Sequence, residues 1–243
     1  MKTKRHIDPY QHVSFIYSHL MGFIDYKWWA KYIHSITKNQ LVKSPLVLEL
    51  GAGNCKFANH LSKSFKNYFA TDISQSMISG NVYKLNKICC DMTALPFNKR
   101  FDLIVSAFDS INYLTSKKKL GSLFKEVYDH LAENGIFTFD AALVNNSLKH
   151  QKTSVTSGKT AEISFKRDSK YFPASRIHKN IFKVSYPTKK TFTEIHKQKI
   201  FEFETYFEIA ENCNLYVVDC YKAFTYQKAK PTSDRVQFVM KRK

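Results

Sequence analysis

Two glycines, Gly51 and Gly53, interrupt the chain straight after the apolar run Leu46-Val47-Leu48-Glu49-Leu50, and two acids follow at intervals, Asp72 and Asp91. A glycine pair between a strand and a helix lets the backbone come close to a ligand, and the helix N-terminus turns its free N–H groups to the same place. Asp72 stands 19 residues after Gly53, ending a second apolar run, where a carboxylate can accept hydrogen bonds from a ribose diol. Asp91 ends a third short run, beside Met92. The carboxyl ends of neighbouring parallel strands open onto one crevice, so this ordered set describes one ligand site rather than unrelated turns.

Such a site needs strands and helices in alternation. Residues 11–39 carry Phe15, Leu20, Phe23, Trp28, Tyr32 and Ile33 at helical spacing between lysines and histidines, which predicts one or two amphipathic helices. Residues 45–50 read as a buried strand, and Phe57 and Leu61 as one face of the helix after the glycines. A strand over 68–72, a helix over Ser76–Tyr83, a strand over Ile88–Cys90 and a strand over Phe101–Ala107 follow. Leu120, Leu123, Val127 and Leu131 then form one stripe of a helix over 117–132, closed by Asn134-Gly135, before a strand over Ile136–Phe139 that reaches Asp140. Short strands, apolar on both faces and separated by helices, predict an α/β fold with a parallel sheet. Beyond residue 145, Ile177–Val184 and Thr191–Phe201 alternate as antiparallel strands with one wet face, 203–212 reads as a helix, and 214–221 and 235–240 as strands.

The motifs resemble those of the class I S-adenosylmethionine-dependent methyltransferases. Val47-Leu48-Glu49-Leu50-Gly51-Ala52-Gly53-Asn54 looks like the family's first motif, and Ala70-Thr71-Asp72-Ile73-Ser74 with Met77 like its second strand and ribose acid. Cys90-Asp91-Met92-Thr93-Ala94-Leu95-Pro96-Phe97 resembles the adenine-contacting loop, Phe101-Asp102-Leu103-Ile104-Val105 the fourth strand, and Asp129–Phe137 the helix-turn-strand before the fifth. The flanks, Tyr17-Ser18 with Asp25–Ala30, the loop Phe108–Leu114, Glu194–Gln198 and Ser233-Asp234-Arg235, resemble a bacterial small-molecule branch that includes nucleotide-sugar amine methyltransferases. Cys55 departs from the pattern, standing where the family has a third glycine, and Asn134-Gly135 replaces a usual Gly-Gly. The resemblance implies a Rossmann-like, mostly parallel seven-stranded sheet with helices on both faces. It implies one domain over 1–243: a helical cap (1–42), a cofactor-binding core (43–145), a basic antiparallel β insertion (146–202) and the C-terminal part of the core (203–243).

It also implies S-adenosyl-L-methionine as cofactor, held by Tyr17, Glu49, Gly51, Ala52, Gly53, Asp72, Ile73, Asp91, Met92, Ala107 and Phe108. The sulfonium donor is already activated, so the protein's main contribution is orientation, which can supply roughly 7–11 kcal/mol. An amine or hydroxyl nucleophile must lose a proton, and His196 is the first candidate base, with Asp109 the second. His196 reads equally as a surface histidine among lysines. Tyr26, Trp29, Tyr113 and His178 are candidate acceptor contacts, with helix packing the competing role for Tyr26 and Trp29. Enzymes that methylate exocyclic base amines carry an Asn/Asp-Pro-Pro-Tyr/Phe turn where Phe108-Asp109-Ser110 stands, which argues against a flipped nucleobase.

Charge bears on the acceptor. The 243 residues carry a net charge of +18, and residues 151–199 hold twelve basic against three acidic side chains, half of that excess. A field of this sign draws anionic partners, but most of the basic residues are lysine rather than the bidentate arginine. The favoured function is methyl transfer to N or O of a small, anionic acceptor; the alternatives are an RNA methyltransferase and an inactive cofactor-binding regulator or scaffold. Five cysteines, two of them adjacent, suit neither a disulfide framework nor a zinc site; they are expected to be buried free thiols, with no metal. The absence of a membrane-length apolar run and of a signal-peptide pattern predicts a cytoplasmic protein with no membrane partner. No sequence feature bears on oligomeric state.

Overall fold

A computed structural model of the chain describes residues 8–152, 154–160 and 162–243. The chain opens with α1 (Ser14–Leu20) and α2 (Tyr26–Thr37), the latter capped by Asp25, whose side chain accepts the Trp28 N–H. The core follows as β1 (Leu46–Leu50), α3 (Lys56–Leu61), β2 (Asn67–Asp72), α4 (Gln75–Ser79), β3 (Asn86–Cys89), β4 (Phe101–Ser106), α5 (Lys117–His130) and β5 (Leu131–Ala142). Next come α6 (Val144–Lys152), the antiparallel strands β6 (Val155–Lys159), β7 (Ser164–Phe172), β8 (Ile177–Ser185) and β9 (Thr191–Lys199), then α7 (Phe203–Asn212), β10 (Leu215–Lys222) and β11 (Arg235–Arg242).

The main sheet has seven strands in the order β10-β11-β5-β4-β1-β2-β3, parallel from β5 to β3, with β11 antiparallel to its neighbours. This is the Rossmann-like α/β fold. β1 is flanked on both sides and covered on both faces, which is why its sequence is a nearly unbroken apolar run. One face packs on α5 through Leu120, Leu123, Phe124 and Val127, and the other on α2 and α3 through Trp29, Ile33, Phe57 and Leu61. Each such side chain contributes about 1.5–3 kcal/mol on burial, so a charge at Leu123 would open the α5 face.

Several element boundaries differ from the sequence reading. α5 ends at His130, with Leu131 already extended and paired with Phe101, so Asn134-Gly135 falls within a register shift of β5, just ahead of the Leu103–Ile136 pair, and does not close the helix. α4 stops at Ser79, ahead of Gly80, rather than running to Tyr83. The segment after residue 145 does not begin as strand: α6, a polar helix without a strong apolar stripe, precedes β6. Among the cysteines only Cys55 is buried; Cys89 is exposed and Cys90, Cys213 and Cys220 are partly so.

The four-stranded sheet, ordered β6-β7-β8-β9, rises from the main sheet between β5 and α7. Alternation gives it two unlike faces. Phe165, Arg167, Ser169 and Tyr171 on β7, and His178, Asn180, Phe182 and Val184 on β8, look inward, where Val13 and Ile16 of the N-terminal segment pack on Phe165, Phe182 and Val184. Lys166, Lys170, Lys179, Lys183 and Lys197 occupy the other face, with Lys166 opposite Lys183 and Lys179 between Lys170 and Lys197. The lysines that give the insertion its charge therefore point away from the site described next.

Candidate functional site

β1 ends in a loop whose backbone demands glycine. Gly51 has φ +70° and Gly53 φ +55°, and a Cβ at 51 would stand 2.8 Å from the Ser110 side chain. At 53 it would meet Met77 Cε at 3.2 Å and Tyr17 Cε1 at 4.0 Å. Cys55 takes the third left-handed position, φ 59°, at the start of α3, so a residue with a Cβ sits where the family's glycine would be unstrained. The missing glycine thus answers to backbone conformation as well as to close packing.

Asp72 closes the loop from the neighbouring strand. Its Oδ2 accepts the Gly53 N–H and its Oδ1 the Ser74 N–H, each at 2.8 Å. A carboxylate offers about four acceptor positions, so two remain for hydroxyls arriving from the cavity. Burial pushes the Asp72 carboxyl up, against those two N–H bonds. Asp8 was not anticipated. Its Oδ1 accepts from Ser74 Oγ at 2.5 Å and its Oδ2 from Ser76 N at 2.8 Å, fixing the start of α4. Asp91 binds Thr93 N and Oγ1 through Oδ1 alone, each at 2.8 Å.

Gly51, Gly53, Asp72 and Asp91 border one cavity of about 570 Å³ that runs from the glycine loop to the inner face of the four-stranded sheet. That size suits a small-molecule site. Of the expected cofactor residues, Tyr17, Gly51, Gly53, Asp72, Ile73, Asp91, Met92 and Phe108 line it. Glu49, Ala52 and Ala107 do not. Glu49 is buried under the sheet, where it accepts a 2.7 Å hydrogen bond from the Tyr68 hydroxyl, and burial pushes its carboxyl up to about 8. Ala52 spends its N–H on Thr71, and Ala107 is buried behind Phe108.

The other end of the cavity is built by residues distant in sequence. Phe108 and Asp109 both take positive φ, 61° and 49°, as β4 gives way to the 3-10 turn Ser110–Tyr113. That turn aims Asp109 into the cavity, where Oδ1 pairs with Arg235 Nη1 at 2.8 Å and Oδ2 accepts from Gln198 Nε2 at 2.6 Å. Asp140, at the end of β5, holds the same arginine from behind and accepts the Asp109 N–H at 2.9 Å. Burial pushes Asp140 up to about 6 even with Arg235 beside it. Trp29, Phe108 and Phe224 form an aromatic wall, with ring centroids 3.9 and 4.4 Å from Trp29.

Trp29, Tyr113 and His178 border the cavity, and Tyr26 does not: it packs on Phe108 from the core side. His196 is also displaced. It is buried rather than on the surface, but Tyr10 and Tyr113 cover it, at 4.4 and 6.2 Å between rings, and its Nε2 faces Glu194 at 3.3 Å. It therefore does not reach an acceptor in the cavity, which overturns its place as first candidate base. His178 bonds Ser169 Oγ through Nε2 at 2.7 Å, and burial lowers it to about 4, leaving it neutral. Sequence reasoning assigned no role to Asp140, Arg167, Gln198 or Arg235, although Asp140 follows an apolar run as Asp72 does and Gln198 and Arg235 fall within the flanking motifs Glu194–Gln198 and Ser233-Asp234-Arg235; Arg167 carried no signal.

A family model described as a methyltransferase domain matches residues 47–135. YqeM of Bacillus subtilis (strain 168), a methyltransferase in name, is 27% identical over 94% of this chain and 95% of its own. The crystal structure of an S-adenosylmethionine-dependent methyltransferase from Clostridium acetobutylicum ATCC 824 is 25% identical, with 96% of this chain and 98% of that one covered at a TM-score of 0.77. The sugar N-methyltransferase KedS8 from Streptoalloteichus sp ATCC 53650 shares 14% identity and the whole fold, covering 100% and 98% at a TM-score of 0.75. Glycine loop, strand-end acids and sheet order together are similar to those of the class I S-adenosylmethionine-dependent methyltransferases. The chain is an S-adenosylmethionine-dependent methyltransferase, with S-adenosylmethionine as its cofactor, and it resembles the bacterial branch that contains sugar-amine methyltransferases.

Proposed function

We propose that this enzyme methylates a nitrogen, or failing that an oxygen, of a small molecule seated between the aromatic wall and the inner face of the four-stranded sheet. The observation that carries this reading is the Asp109–Arg235–Gln198 cluster, fixed at the junction of the cofactor and acceptor ends of the cavity. The cofactor supplies a methyl group already activated on a sulfonium. The chain's own work is then to hold Gly51, Gly53, Asp72, Asp91 and Met92 as the cofactor cradle and to orient the acceptor.

Asp109 is suited to that second task. Arg235 and Gln198 fix both carboxylate oxygens, each of which retains room for one further donor, so an amine N–H or a hydroxyl entering the cavity finds an acceptor at a set position. With His196 covered, Asp109 is the remaining group of the original pair to take the proton that the nucleophile must lose. The aromatic wall offers an apolar face to a ring-shaped acceptor. The fold shared with KedS8, a sugar N-methyltransferase, supports nitrogen as the methylated atom. Because the insertion's lysines lie on its far face, they do not line a groove leading an RNA strand to this site.

Transfer of labelled methyl from S-adenosylmethionine to a panel of small amines, alcohols and carboxylates tests the reading. Asp109→Asn is expected to lower kcat about 100-fold or more on whichever acceptor the wild type uses, with affinity for S-adenosylhomocysteine within about twofold. Full turnover by Asp109→Asn removes the assignment, and tight cofactor binding without any acceptor across the panel points instead to a regulator.

A further inference from the structure

Between residues 151 and 199, strand alternation turns most of the basic side chains outward, but Arg167 on β7 borders the cavity. Its Nη2 donates to Thr156 Oγ1 at 3.2 Å, and its Nε is buried with no acceptor among the described residues. The nearby acids are committed elsewhere: Asp168 faces out toward Lys166, and Glu194 accepts the N–H groups of His12 and Val13 ahead of α1. Arg235, on the opposite side of the cavity, is in the contrary position, held between Asp109 and Asp140. Lys119 also borders the cavity but is exposed at its rim. Among the described residues lining the cavity, Arg167 is thus the guanidinium with no carboxylate beside it.

A half-buried guanidinium with an idle N–H carries a desolvation cost that an incoming anion offsets. Its planar fork matches the two oxygens of a carboxylate or a phosphate. Around it stand groups able to share that load without repelling an anion. Ser169 follows on the same face of β7, Asn180 lies opposite Ser169 on β8, and both border the cavity. His178 is already tied to Ser169, and His150 of α6 borders the same end, 6.5 Å from His178 between ring centres. We infer that the methyl acceptor carries an oxyanion, a carboxylate or a phosphate ester, and that Arg167, with Ser169 and Asn180, is the site that takes it. The inference rests on the methyltransferase reading of the cavity and adds to it the chemical class of the acceptor and the group that recognises it. It relocates the anion preference expected from the charged insertion to one inward-facing side chain rather than to the lysines.

Three probes of one ring size separate the sources: phenyl phosphate, benzoate and the neutral benzyl alcohol, each titrated calorimetrically into protein saturated with S-adenosylhomocysteine. At least one anion should bind the wild type tenfold or more tightly than benzyl alcohol, and which one it is distinguishes phosphate from carboxylate recognition. Arg167→Gln should lose that preference, Arg167→Lys should keep part of it, and Lys197→Gln on the outer face should leave it unchanged. S-adenosylhomocysteine affinity, measured on every variant, reports whether the fold and cofactor end persist. The inference is overturned if neither anion is preferred over benzyl alcohol, or if Arg167→Gln keeps the preference while binding S-adenosylhomocysteine normally. Failure of the wild type to bind S-adenosylhomocysteine would instead strike at the methyltransferase reading itself.

Discussion

Replacing Glu49 with glutamine isolates one buried charge and gives it a pH signature. Glu49 sits inside the main sheet, hydrogen-bonded to Tyr68, and burial raises its carboxyl from 4.5 to about 8. The unfolded chain releases this proton near 4.5, whereas the folded chain holds it to about 8, so between those values the native state binds more protons. Stability from this group is therefore intact below about 4.5 and falls as pH rises toward 8. At 1.36 kcal/mol per pH unit the gap sets a ceiling of about 5 kcal/mol, of which about 3 kcal/mol falls between pH 5 and pH 8. Glutamine keeps an oxygen to accept from Tyr68 and has no proton to lose. Urea unfolding followed by circular dichroism, on wild type and Glu49→Gln at both pH values, measures the difference. The variant should gain on the wild type by about 3 kcal/mol from pH 5 to pH 8. Parallel pH dependences for the two proteins would refute the reasoning.

Asp72→Ala removes two bonds that fix the glycine loop and two free acceptor positions facing the cavity. At about 1.5–3 kcal/mol for each charged hydrogen bond to the ligand, calorimetry should show S-adenosylmethionine affinity lower by roughly 100-fold. Lys179 lies between Lys170 and Lys197 on the insertion's outer face, three like charges across neighbouring strands. Lys179→Glu should raise stability by about 0.5–1 kcal/mol in low salt, and the gain should shrink in high salt.

The cofactor end was legible in the sequence because its signals are local. A strand, two glycines and a helix lie within residues 46–61, Asp72 ends β2, and Asp91 follows β3 by two residues. Period-two alternation likewise showed that the insertion has two unlike faces. It carried no information on which face meets the cavity, and so could not tell Arg167 from Lys166. His196 was misplaced for a related reason: its strand position is right, but Tyr10, 186 residues earlier, closes over it. The Asp109–Gln198 and Asp140–Arg235 pairs span 89 and 95 residues, and nothing in one sequence reports such pairings. Glu49 misled because motif position suggests a ligand contact, whereas its side chain points back under the sheet to Tyr68.

Asn112 fastens the root of the insertion. Its Nδ2 donates to the carbonyls of Ala142 and Lys199, where the chain leaves the main sheet and where it returns, and its Oδ1 accepts the Ala142 N–H. The two sheets share no strand pairing, so between these crossings the insertion is held to the core through side chains. They are this buried amide, the Gln198–Asp109 bond, Glu194 on the N–H groups of His12 and Val13, and the apolar patches of Ala142, Tyr171 and Ile200 and of Val13, Ile16 and Phe165. An arrangement of this kind behaves as a socket. Replacing residues 143–199 would exchange Arg167, Ser169, His178, Asn180 and Gln198 at one end of the cavity, while the glycine loop and its acids stay untouched. Insertion grafts between relatives that retain Asn112 are accordingly a direct route to altered acceptor choice on an unchanged donor half.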